Sequence, residues 1–241
     1  MKRSAKHLIS LSAVTGCLLA LAAPAGASQL QNMPIGPLPA SCTSAPNGSD
    51  CTGAVVSALD TARARLGLGP YRLPSNFDQL PGTRQIFILA NLDRSAAGLP
   101  PIEGIAPALT GSALTAVIGD VDPDPTGALA SLATYRWTSN WAGGWANAPY
   151  AYYEWMYDDG YNGPETSNVD CTAPDASGCW DHRRNVLAFN RPGTIVMGAA
   201  VGHDAHGQIG YAMTIVWTPP TRWAHFSYTW MRARAAGAGG S

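Results

Sequence analysis

The chain has 241 residues, 46% hydrophobic and 13% charged, with 15 Lys and Arg against 16 Asp and Glu and a formal charge of −1. Lys2, Arg3 and Lys6 fall in an N-terminal leader, and without them 12 basic residues face 16 acidic ones, about −4. That balance excludes the basic face of a nucleic-acid binder and electrostatic docking on anionic lipid, and the remaining length suffices for one hydrophobic core.

The first 27 residues read as a secretory signal, with a charged start, an apolar run over residues 8–23 and an Ala25-Gly26-Ala27 cleavage site. Val14-Thr15-Gly16-Cys17 also fits the pattern that directs lipidation at Cys17, but the apolar run continues past the cysteine, which argues against a polar tether. No later stretch is long and apolar enough to span a bilayer, so stable membrane insertion is not expected. Residues 28–50, rich in Pro, Gly, Ser and Asn, form an extended lead-in to a single domain over residues 51–231.

Within that domain the first helix runs from Thr52 or Gly53 to Leu66, with Gly67 past its end. A second is capped by Thr83, carries Ile86, Leu89 and Ala90 on one stripe, and exits through Gly98 before Pro100-Pro101. A third covers residues 107–118 and a short fourth residues 148–158. Alternation over residues 194–201 and 209–217 predicts two strands joined as a hairpin through Gly202–Gly207. Helices followed by a hairpin imply an α+β fold with a small antiparallel sheet, and the Ala-Gly-Ser tail over 232–241 reads as disordered.

Four cysteines follow the leader. An even number in an exported chain suggests disulfides, and Cys42 to Cys51 with Cys171 to Cys179 is the simplest of three pairings. A zinc site from the four is the other use, but no Cys-x-x-Cys pair is present.

Three segments carry a family pattern: Asn91-Leu92-Asp93-Arg94 leading to Gly98-Leu99-Pro100-Pro101, then Tyr153-Glu154-Trp155-Met156, then Trp180-Asp181-His182-Arg183-Arg184-Asn185-Val186-Leu187. Together they resemble the CAP superfamily of cysteine-rich secretory, antigen 5 and pathogenesis-related 1 proteins (the SCP-like extracellular domain), as a divergent bacterial member. Asp181 stands where the family has glycine, and Val186 where it has isoleucine. The resemblance implies a three-layer α-β-α sandwich in which His182 projects into a cleft with Glu154 as its carboxylate. In some family members a second histidine and two glutamates complete a divalent-metal cluster. Here no histidine lies between Ile102 and Tyr135, and Trp141 to Asn147 occupies the place of the usual Gly-Glu-Asn segment. A divalent metal at His182 is therefore a candidate cofactor without its full ligand set.

The remaining chemistry is aromatic. Trp137, Trp141, Trp145, Tyr150, Tyr152, Tyr153, Trp155, Tyr157 and Tyr161 crowd one short stretch, enough for a stacking wall. Tyr153 and Trp155 are expected in the core; Trp141, Trp145 and Trp180 are expected beside His182 and Glu154 in a ligand cleft. Arg183 and Asn185 serve structure, the arginine pairing with Asp181 or Asp159. Residues 120–124 begin like a calcium loop but lack its glycine and its bidentate glutamate. His203 and His206 in the hairpin turn read as surface residues. The expected function is a secreted binding module for a small apolar or amphipathic, lipid-like ligand or a glycan. The alternative is an extracellular hydrolase of peptide or cell-envelope substrates, with His182 as general base oriented by Glu154.

Overall fold

The alternating runs do pair. In the computed structural model, which describes residues 30–223 and 225–239, residues 194–203 and 209–218 form an antiparallel hairpin in the register Met197 to Ile215 and Val201 to Tyr211. Asp204 closes its turn by accepting from the backbone N–H groups of His206 and Gln208 at 2.8 and 2.7 Å. The expected leader over 1–27, with Cys17, lies outside the described residues.

The element order is α1 (Ser41–Ser44), α2 (Ser49–Arg65), a 3₁₀ turn (Phe77–Gln79), α3 (Gly82–Ala96), β1 (Gly104–Ile105), α4 (Pro107–Gly119), α5 (Thr126–Leu129), β2 (Arg136–Gly143), α6 (Ala148–Tyr157), α7 (Asp181–Val186), β3 (Thr194–His203), β4 (Ile209–Thr218), β5 (Tyr228–Thr229) and α8 (Trp230–Ala235). The fold is mixed α and β, as an α+β assignment requires. Its sheet is open, in the order β2-β4-β3-β1-β5. Only the short β1 runs parallel to its neighbour β3, through Ile105 and Met197, so the described sheet is mixed rather than purely antiparallel.

Period-two alternation sorts the central strands. Ile195, Met197 and Ala199 of β3 and Tyr211, Met213 and Ile215 of β4 join one large core with α2, α3 and α6. Val196 and Val216 pack with Leu109 and Leu129, while Ala200 and Ala212 pack with α4. A Cβ on Gly198 would meet the Leu109 backbone at 2.5 Å, so the close approach of α4 to β3 depends on glycine there.

Helix α3 is buried all round, and its polar side chains are there because each finds partners. Asn91 accepts from the Ile102 N–H at 2.7 Å. Asp93 accepts from the hydroxyls of Tyr71 and Tyr152 at 2.6 and 2.7 Å and pairs with Arg63. Arg94 donates to the carbonyls of Pro100, Val186 and Ala188. Two segments of the family pattern are thus tied together directly.

Several expectations change. Thr83 does not cap α3; the cap is Pro81, two residues earlier, with no side-chain bond. The stretch 136–143, read as part of a site, is an edge strand paired along its length with β4. The tail expected to be disordered from 232 continues α8 to Ala235, buries Ala233 and Ala238, and bridges Gly239 to Arg72; small side chains let it fit against the body. The lead-in is pinned to the body, Asn32 exchanging hydrogen bonds of 2.6 and 2.7 Å with the Gly160 backbone. Both sequence-local disulfides are present, Cys42–Cys51 and Cys171–Cys179, and no described helix is long and apolar enough to cross a membrane.

Candidate functional site

Helix α6 begins at Asn147, whose side chain accepts from the Tyr150 N–H at 3.0 Å and donates to the Pro46 carbonyl at 2.8 Å. Its residues from Ala151 to Tyr157 are all buried. The Trp155 indole donates to the Trp141 carbonyl at 3.1 Å, fastening α6 to β2, the free edge of the sheet. The chain then turns through Asp158 and Asp159 toward α7.

Helix α7 is only six residues long and is held from outside. Asn185 donates to the Ser139 carbonyl at 2.7 Å and to Asn140 Oδ1 at 3.0 Å, and Asn140 donates to the His182 carbonyl at 2.9 Å. Together with the Arg94 bonds to Val186 and Ala188, these contacts seat His182 beside β2.

The imidazole is oriented by Asp159. Its Nδ1 lies 2.6 Å from Asp159 Oδ1, and the same carboxylate, 1% exposed, accepts from Asn168 Nδ2 at 2.7 Å and from the Arg183 N–H at 3.2 Å. With Nδ1 engaged, Nε2 is the nitrogen left for a ligand or a proton. Burial alone would lower the His182 pKa, but the hydrogen bond and charge of Asp159, joined by the charges of Asp122 and Asp170, raise it.

His182 and Glu154 line one cleft of about 500 Å³ at the edge of β2, and Trp141, Trp145 and Trp155 line it too. The expected His182–Glu154 partnership needs correction: both residues reach the cleft, but the carboxylate bonded to the imidazole belongs to Asp159. Trp180 is corrected as well. It is absent from the described cleft wall, because α7 starts from it in a left-handed conformation (φ 65°) and its indole lies against Gly160, where an added Cβ would meet it at 2.7 Å. Trp145 sits in the wall against Tyr150, ring centroids 4.9 Å apart. Arg183 takes neither carboxylate expected for its side chain; its guanidinium donates to the Met156 carbonyl at 2.5 Å and lies over the Tyr157 ring.

The sequence reading missed the acids. Asp120, Asp122, Asp159 and Asp170 join Glu154 in the lining. Asp120 and Asp122 come from the stretch 120–124, whose calcium-loop spacing fails, and they line the same cleft as Asp159 and Asp170. Glu154 is 7% exposed, and its pKa is pushed up to about 8 by burial, with Asp158 and Asp159 adding to the rise and Ser167 opposing it. The Ser167 hydroxyl nevertheless donates to the Asp158 carbonyl at 3.0 Å, so we regard burial as deciding the state of Glu154.

A divalent centre does not fit these side chains. Among the described residues no three or more His, Cys, Asp or Glu are grouped to hold a metal ion, and the Nε2 of His182 alone falls short of the three protein ligands such a centre needs. His203 turns back on its own hairpin, its Nδ1 at 3.1 Å from the Gly207 carbonyl. No family model, curated protein or solved structure matches this chain.

Proposed function

We propose that this chain is an exported, CAP-like binding module that holds a small amphipathic ligand or a glycan in the cleft at the edge of β2. The observation that carries the reading is that His182, Glu154, Trp141 and Trp145, scattered along the sequence, line a single concavity. Rings that bury area while keeping a polar edge, next to fixed hydrogen-bonding groups, form the usual composition of a small-ligand site. The carboxylates narrow the choice away from a purely apolar occupant. Export is supported by the two disulfides, which persist in oxidising compartments. A CAP-like three-layer arrangement is supported by the packing of β3 and β4 against separate helix sets on the two sheet faces. The contact of Arg94 with Val186 and Ala188 adds to it, since it joins two segments of the family pattern.

Three tryptophans in the wall make intrinsic fluorescence the direct assay. Titration with a panel of lipids and oligosaccharides is expected to give saturable binding that Trp141→Ala weakens without loss of fold. A panel with no binder would reject the reading.

A second reading has its own support. An imidazole held by a buried, triply bonded carboxylate, with Nε2 unengaged, is the arrangement of a general base. In that reading His182 Nε2 takes a proton from water as the oxygen attacks a bound amide carbonyl, Asp159 stabilises the imidazolium, and the imidazolium returns the proton to the amine that leaves as the C–N bond breaks. Hydrolysis of peptide or peptidoglycan fragments should then fall ~10²–10⁴-fold in His182→Gln and fall also in Asp159→Asn. An inert wild type would remove this alternative.

A further inference from the structure

We infer that the cleft selects a ligand bearing a primary ammonium group, seated against Glu154 and the rim carboxylates, with its carbon skeleton on the tryptophan wall. The inference rests on the cleft being the binding site and adds the class of occupant.

The lining supplies five carboxylates, from Asp120, Asp122, Glu154, Asp159 and Asp170, against one imidazole, and no Lys or Arg stands among the described residues lining it. Acidic residues alone are commonplace on a surface. Here one of them, Glu154, is more than nine-tenths buried and faces the cleft, yet makes no ion pair or geometrically sound hydrogen bond among the described residues. Arg183, one residue beyond the cleft imidazole, is committed elsewhere, held by the Met156 carbonyl and the Tyr157 ring. A buried acceptor without a partner lies at the rim, Asp120 Oδ1, while the other oxygen of that carboxylate stands 3.8 Å from His206 Nε2.

A buried acceptor such as Asp120 Oδ1 is costly unless a donor arrives. An ammonium brings three donors and a positive charge that displaces the Glu154 proton on binding, so that the acid meets it ionised, and it does not demand the three-ligand geometry that these residues lack for a metal. Indole faces favour a cation close by. The Trp141 indole N–H is itself buried without an acceptor, so a hydroxyl beside the ammonium would satisfy it. Val121 and Val169, both cleft-lining and 56% and 84% exposed, offer apolar lips to an aliphatic stretch.

The test is a fluorescence titration of the mature protein at neutral pH with a glucosamine trimer, spermidine and an N-acetylglucosamine trimer. Binding of either cationic probe at least about tenfold tighter than the neutral trimer supports the inference, and the tighter of the two identifies its source as amino sugar or polyamine. Glu154→Gln and Asp122→Asn should each cut cation affinity by about tenfold. Glu165→Gln, an exposed acid outside the cleft, should leave it unchanged. Equal binding of the neutral trimer, or cation affinity untouched by both cleft variants, overturns ammonium selection while leaving the cleft as a site. No response to any probe or to the wider panel overturns both.

Discussion

At the level of single residues, Glu154 sets the clearest expectation. Its folded pKa of about 8 lies above the usual carboxylate value of 4.5. A raised pKa means that the protonated form is the one folding favours. That contribution is complete below the unfolded value, shrinks as pH climbs, and is gone above about 8. Glu154→Gln keeps the shape and cannot ionise. The wild type should therefore lose about 2–4 kcal/mol more stability than the variant between pH 4.5 and 9, read from urea midpoints at each pH. Parallel pH profiles would show that the carboxylate is solvated. The same residue marks how far sequence alone reached. Motif position picked out the right helix and imidazole but assigned the imidazole to the wrong acid. What decides the bond is the path of the chain after Tyr157, where the turn through Asp158 and Asp159 runs back to α7, and no periodicity encodes that path.

At the level of elements, legibility followed length and the residues that bracket each element. The expected helices at 52–66, 107–118 and 148–158 were close to their observed bounds because Gly, Pro, Asn and Asp punctuate their ends, and both long strands because their side chains alternate. Strand β2 was missed because an edge strand with one side open need not alternate cleanly, and Trp, Ser and Asn share its eight positions. Strands β1 and β5, two residues each, are too short to show a period. Helix α3 illustrates a subtler point. Its arginine looks like a surface residue in sequence, yet Arg94 is fully buried and faces backbone carbonyls. Burial without a counter-charge lowers its pKa to about 10, and its value lies in joining α3 to the segment after α7. Lysine cannot reproduce the fork. Arg94→Lys should cost at least ~3 kcal/mol in urea unfolding by stranding several carbonyls, and a cost below 1 kcal/mol would mean that water replaces the guanidinium.

Across the whole molecule, the two disulfides separate stability from site architecture. Each closes a loop of similar size, with sequence separations of 9 and 8, so the chain-entropy relation assigns each about 2.5 kcal/mol. Their surroundings differ. Cys42–Cys51 ties α1 to α2, and neither cysteine lines the cleft. Cys171–Cys179 fixes the segment that supplies Ser167, Asn168, Val169 and Asp170 to the wall, and Asn168 is one of the donors that hold Asp159. Replacing either pair with serines should therefore lower the unfolding midpoint by a comparable amount. Only the 171/179 replacement should also loosen the Asp159 carboxylate and move the His182 ring titration, followed by NMR, down toward its ordinary range, because burial then counts for more than the weakened pair. Equal shifts in both variants would mean that the ring responds to global loosening. No shift in either would mean that Asp159 is held by α7 alone, through the Arg183 N–H, and that the wall segment is free to move without disturbing the imidazole.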